Sequence, residues 1–181
     1  MAAGGEPCRI LGIDPGSVNT GYAVIEALGS RLRHLESGRI AAGNGAFTDR
    51  LRLIFDGISD VVDRLAPAEV AVERVFVAQN ADSAIKLGQA RGAAICGALR
   101  SALPVSEYSP TEIKQAVVGS GRAAKEQVQH MVGLLLSLRE TLQADQADAL
   151  AVAICHAHTR ASPIAMAQRT VVTRSRRGRR A

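Results

Sequence analysis

Four acids stand where an acid is costly. Asp14 closes the apolar stretch Ile10-Leu11-Gly12-Ile13, and Glu73 follows Val70-Ala71-Val72. Asp145 and Asp148 head a segment that continues as Ala149-Leu150-Ala151-Val152-Ala153-Ile154-Cys155. Taken singly, an acid at a strand end is a turn cap, and Asp145 is an N-terminal helix acid favoured by the macrodipole. Four such acids together resist that account, because buried carboxylates repel one another and need a cation. The sequence has no His/Cys cluster with ligand spacing, so ligation by oxygen alone points to Mg²⁺ or Mn²⁺. The three-residue spacing of Asp145 and Asp148 puts both on one helical face, as a shared metal site requires.

Two lysines add a second chemistry. The chain has 22 basic residues, and only Lys86, Lys114 and Lys125 among them are lysines. Lys114 and Lys125 lie near the glycine loop Gly119-Ser120-Gly121, whose backbone amides could approach a phosphate. Lysine supplies a compact point charge for a phosphoryl oxygen. By position alone, solvated helix lysines are the better account of both. Phe76 follows Glu73 by three residues and opens the loop Val77-Ala78-Gln79-Asn80. Core packing and stacking on bases are both open to it. His156 and His158, two apart near the end of the last helix, do not share a face and are expected in surface or capping roles.

These residues need a frame. Arg9–Ile13, Gly21–Leu28 and Arg31–Ile40 read as three strands, the last two joined by a Gly29-Ser30 turn, forming an antiparallel meander. Phe47–Leu65 has helical spacing in Leu51, Ile54, Phe55, Ile58, Val61 and Val62. Glu69–Val75 returns to strand character. Ala81–Leu103 reads as a long helix rich in small residues, either deeply packed or part of a subunit interface. Pro104–Tyr108 is a short strand, and Ser109-Pro110-Thr111-Glu112 opens a helix with a cap and a proline at its first position. Helices at Ala123–Leu138 and Gln143–Thr159 complete an α/β arrangement around a mixed five-stranded sheet.

The chain of 181 residues is long enough for one substantial core, and 47% of it is hydrophobic. The net charge of +5 is unevenly distributed. Arg169, Arg174, Arg176, Arg177, Arg179 and Arg180 lie in a C-terminal stretch without acids, which leaves the body slightly acidic. Such a tail suits phosphate neutralisation and equally suits a solubilising end. Residues 1–7 are expected to be a leader, 8–160 the folded domain, and 161–181 the basic tail. Cys8, Cys96 and Cys155 lack metal-ligand spacing and fit reduced thiols. With no visible secretory signal and no apolar run near the roughly 18 residues that span a membrane, a cytoplasmic location is expected.

Several segments, in order, resemble the RuvC family of Holliday junction resolvases. They are Ile10-Leu11-Gly12-Ile13-Asp14-Pro15-Gly16 with Thr20-Gly21-Tyr22; Val72-Glu73-Arg74-Val75-Phe76; Asn80-Ala81 through Gly88-Gln89-Ala90-Arg91-Gly92; Lys114-Gln115-Ala116-Val117-Val118-Gly119; Lys125-Glu126-Gln127-Val128-Gln129; and Ala144-Asp145-Gln146-Ala147-Asp148-Ala149-Leu150-Ala151. The resemblance runs from about residue 9 to residue 158, leaving the leader and the arginine tail outside it. It implies an RNase H-like fold with Asp14, Glu73, Asp145 and Asp148 as catalytic metal ligands, for two Mg²⁺ ions that Mn²⁺ can replace. It implies DNA-contacting roles for Lys114 and Lys125, and favours base stacking for Phe76. It further implies a homodimer that nicks opposing strands of a four-way DNA junction, partnered by a branch-migration motor of the RuvA and RuvB type. Three other readings stay open on the residues alone. They are an actin-like ATPase, suggested by Asp14-Pro15-Gly16-Ser17; a junction binder that does not cut; and a nuclease for hybrids or flaps.

Overall fold

The computed structural model describes residues 6–74, 80–139 and 142–160. Five strands form one sheet: β1 (Cys8–Asp14), β2 (Asn19–Leu28), β3 (Arg31–Ala41), β4 (Glu69–Glu73) and β5 (Val105–Tyr108). Their order is β3-β2-β1-β4-β5. The first three strands pair antiparallel, while β4 lies parallel to β1 and β5 parallel to β4. Gly29, with a φ of 60°, turns β2 into β3. The mixed five-stranded sheet expected from the sequence is the sheet observed.

Five helices cover the two faces: α1 (Phe47–Leu65), α2 (Ala81–Leu99), α3 (Pro110–Val118), α4 (Lys125–Leu135) and α5 (Ala144–Arg160). Strand alternation divides the core accordingly. Leu11, Ile13, Val24, Val70 and Val72 pack with α1 and α2 on one face. Ile10, Ala23, Ile25 and Ala71 pack with α3, α4 and α5 on the other. Along α5, every residue from Ala149 to Ala157 is buried, as its all-round apolar character requires.

Two helices are shorter than their patterns suggest. The expected Ala81–Leu103 helix stops at Leu99, because Ala102 takes a left-handed φ of 51° and Pro104 follows. The expected Ala123–Leu138 helix runs only from Lys125 to Leu135, ended by Ser137 at a φ of 53°. The cap read at Ser109 is a full capping box: Ser109 accepts from the Glu112 amide, and Glu112 accepts from the Ser109 amide.

Candidate active site

Asp14 ends β1, and Glu73 ends the neighbouring parallel strand β4. The register pairs Ile13 with Val72 and so sets the two acids side by side at the strands' C-terminal ends. Asp145 and Asp148 arrive from the first turns of α5, which lies directly on the sheet there. Two glycines make that approach possible. A Cβ on Gly12 would stand 2.3 Å from the Ala149 carbonyl oxygen, and one on Gly21 would stand 2.2 Å from that of Asp145. The β1–β2 turn is fixed by Thr20, whose hydroxyl donates to the Gly16 carbonyl at 2.9 Å, and by Arg50, which donates to the Ser17 carbonyl.

The electrostatics match the crowding. Burial pushes the Asp14 carboxyl up to about 8, with Glu73, Asp148 and Asp145 adding to the effect. Burial also raises Glu73, against the pull of Lys125 and Lys114. The Asp14 and Glu73 carboxyls face each other, an interaction that raises Asp14 further and lowers Glu73 against the effect of its burial. Lys125 donates to Asp148 at 2.6 Å, which holds the ammonium above its usual range. A cleft of about 240 Å³ is lined by Asp14, Glu73, Lys114, Lys125 and Asp148, with Pro110 and Ile113 among its walls.

The donor set fits a hard divalent cation. It is carboxylate oxygen throughout, and Asp14 is short of positive charge. Among the described residues no three His, Cys, Asp or Glu side chains are already gathered in a geometry that would hold a metal ion.

Of the acids and lysines predicted from the sequence, Asp14, Glu73, Asp148, Lys114 and Lys125 line this cleft, while Asp145 does not line it and acts on Asp14 and Lys125 through its charge. Phe76 lies outside the described residues, as does the arginine tail. The glycine loop differs from expectation. The Gly119 amide closes α3 on the Gln115 carbonyl at 3.0 Å, and the Gly121 amide donates to the Gln115 side chain at 3.1 Å. Neither amide is offered to a phosphate. His156 is also corrected: it is buried, with Nδ1 2.7 Å from the Tyr108 hydroxyl and Nε2 2.7 Å from Glu69. Glu69 also accepts from Arg160 at 3.1 Å, so this network ties the end of α5 to β4 and β5. His158 is exposed, 3.0 Å from the Ala116 carbonyl.

One positioning contact was not foreseen. Arg74, next to Glu73, donates to Glu112 at 2.5 Å, and its amide donates to the Tyr108 carbonyl at 2.7 Å. The Glu112 carboxyl is held down at about 2, chiefly by its bonds to Ser109 and then by Arg74. The helix carrying Lys114 is thereby pinned to the strand carrying Glu73. The capping box was legible in the sequence; its arginine partner, 38 residues away, had no local signal.

The family model for crossover junction endodeoxyribonuclease RuvC matches residues 10–156. A crossover junction endodeoxyribonuclease RuvC of Aeromonas salmonicida is 59% identical over 170 residues, 94% of this chain and 97% of its own length. Its counterpart in Shewanella loihica is 58% identical over 157 residues, covering 87% of this chain and 91% of its own. Among solved structures, Thermus thermophilus RuvC in complex with Holliday junction substrate superposes with a TM-score of 0.80 at 33% identity, covering 88% of this chain and 96% of that one. The yeast mitochondrial Holliday junction resolvase Ydc2, at 13% identity and a TM-score of 0.62, covers 85% of this chain and 81% of its own, and shares the fold.

Proposed function

The chain belongs to the RuvC family of crossover junction endodeoxyribonucleases, and we propose that it resolves four-way DNA junctions by hydrolysing phosphodiesters at the cleft of Asp14, Glu73, Asp145 and Asp148. The observation that carries this reading is the row of Asp14 and Glu73 on adjacent parallel strands, met by two acids of α5 and faced by Lys114 and Lys125. In the reaction, the hydroxyl of a water adds to phosphorus as the bond to the 3′ oxygen breaks. The remaining proton ends on that oxygen, leaving a 5′-phosphate and a 3′-hydroxyl.

The four carboxylates would hold Mg²⁺, with Mn²⁺ as a substitute and two ions as the proposed number. Bound there, the cations supply charge neutralisation and alignment for the attacking and leaving oxygens. Asp14, with the other three acids as its electrostatic neighbours, is the position best able to serve two ions. Glu73 and Asp148 would each help hold one, and Asp145 would complete the set or orient water. Lys114 and Lys125 place positive charge on the α3–α4 side of the cleft, where a phosphoryl oxygen gathers negative charge. Phe76 is proposed to stack on bases at the crossover.

A homodimer is proposed on α2. Ile85 and Leu99 are 61% and 48% exposed, and a Cβ at Gly88 or Gly92 would meet open space. These four share one side of the helix, while Ala90, Ala94 and Ala98 are buried on another. We further propose 8–160 as the nuclease domain, with 1–7 as leader and 161–181 as basic tail. A branch-migration motor of the RuvA and RuvB type is the proposed partner, in the cytoplasm. Among the described residues no helix is long and apolar enough to cross a membrane.

The direct test is cleavage of a synthetic four-way junction with Mg²⁺, comparing the wild-type chain with Asp14→Asn. Paired nicks by wild type, and a variant that binds but cuts at least about 100-fold more slowly, are expected. If neither protein cuts across metals and junction sequences while both bind, a binding role replaces the nuclease reading.

A further inference from the structure

The sheet register carries the site one strand further than the carboxylates. Asp14 on β1 is paired with Gly21 on β2, and Gly21 with Arg39 on β3. Residues opposite each other in a sheet project to the same face. For this row it is the face of α5: the missing side chain of Gly21 points at the Asp145 carbonyl. The next row agrees, with Gly12 under Ala149 and Ala153, Ala23 buried against α5, and the Ser37 carbonyl accepting from Gln146 at 3.2 Å. The irregularity between β2 and β3 falls at Val24/Ile25, so the Asp14–Gly21–Arg39 row is undisturbed.

Arg39 is exposed at the end of this row and has no hydrogen-bond or ion-pair partner among the described residues. Other β3 and α1 arginines are engaged: Arg33 with Glu26 at 2.8 Å and Arg64 with Glu36 at 2.9 Å. Strands lie about 4.8 Å apart, so the Arg39 Cα is roughly 10 Å from that of Asp14. That distance corresponds to on the order of two to three nucleotides of backbone. Lys114 and Lys125 stand across the cleft, on α3 and α4. Four carboxylates repel a polyanion, and a strand laid over them is held only if cations meet it on both sides.

We propose that Arg39 binds a backbone phosphate of the cleaved DNA strand on the β3 side of the carboxylates, opposite Lys114 and Lys125. This rests on the junction nuclease reading above. Arg31, at the far end of the same strand and paired with Leu28, is a matched control: it too is exposed and without a partner among the described residues.

The experiment measures binding of the full chain to a synthetic four-way junction in EDTA across a salt series. Wild type, Arg39→Ala, Arg39→Lys and Arg31→Ala are compared, each first checked for an unchanged melting temperature. Arg39→Ala is expected to bind roughly three- to tenfold more weakly at low salt, with the slope of log K against log salt reduced by about one. Arg39→Lys recovers most of the slope, and Arg31→Ala matches wild type. Unchanged affinity and slope in Arg39→Ala, or an equal loss in Arg31→Ala, overturns the assignment while leaving the nuclease reading intact. A wild-type chain that binds no junction sinks both.

Discussion

Asp14 sets the terms of the site because it has three acids for neighbours and little water. Its carboxyl, raised from 3.8 to about 8, holds a proton in the folded chain that the unfolded chain has already lost over that interval. Folding stability therefore falls as pH rises from about 4 to about 8, and the deficit is complete above the higher value. Asparagine at this position removes the titration. Asp14→Asn is expected to melt with wild type near pH 4 and above it by roughly 3–6 °C at pH 8 in EDTA. Mg²⁺ should close that gap by stabilising wild type alone. Parallel melting curves across the pH range would show that Asp14 is not under electrostatic load. Lys125 does the opposite work at Asp148, as a cation already in place.

At the scale of elements, the proposed site depends on how closely α5 lies on β1 and β2. Neither Gly12 nor Gly21 needs a left-handed backbone; each is required by what stands above it. Gly21→Ala forces the Asp145 carbonyl, and with it the first turn of α5, away from Asp14. The expected cost is roughly 1–3 kcal/mol of stability. The fall in cleavage should be larger, about 10- to 100-fold at a temperature where the variant is folded, because misplacement of about 1 Å is severe for catalysis. Gly45→Ala, with open space around its Cβ, should change neither. Equal effects of both substitutions in melting and cleavage assays would remove α5 seating as the cause. The far end of α5 is held through His156 and Arg160, which engage Tyr108 and Glu69, so the helix is anchored at the end opposite its acids.

For the whole molecule, cutting two opposing strands calls for two copies of the site, and α2 is the face proposed to join them. Gly92→Lys places a charge in open space, so the fold should survive it. Sedimentation velocity is expected to report a dimer for wild type and a monomer for this variant. The monomer should nick one strand of a junction without the paired second cut. A variant that stays dimeric and cuts in pairs would move the interface off α2.

Much of this was legible from residue types and spacing. The four acids announced themselves because each is joined to an apolar element, where an unpaired charge is expensive, and strand alternation and helical periodicity sufficed for ten elements and a five-stranded sheet. Local signals also marked the capping box at Ser109 and Glu112. The arrival of Glu73 beside Asp14 needed the parallel register of β1 and β4, and the need for glycine at 12 and 21 needed α5 in place. His156 reads from sequence as a surface or capping residue, since nothing near it in sequence names Glu69 or Tyr108 as partners. The Gly119 and Gly121 amides, open to a phosphate on sequence alone, are taken by Gln115. Arg39 looked like any other exposed arginine until the register put it in line with Asp14. Local propensity and burial cost are written in neighbouring residues; which distant side chains share a row, a proton or a charge is decided only when the sheet and its covering helices close.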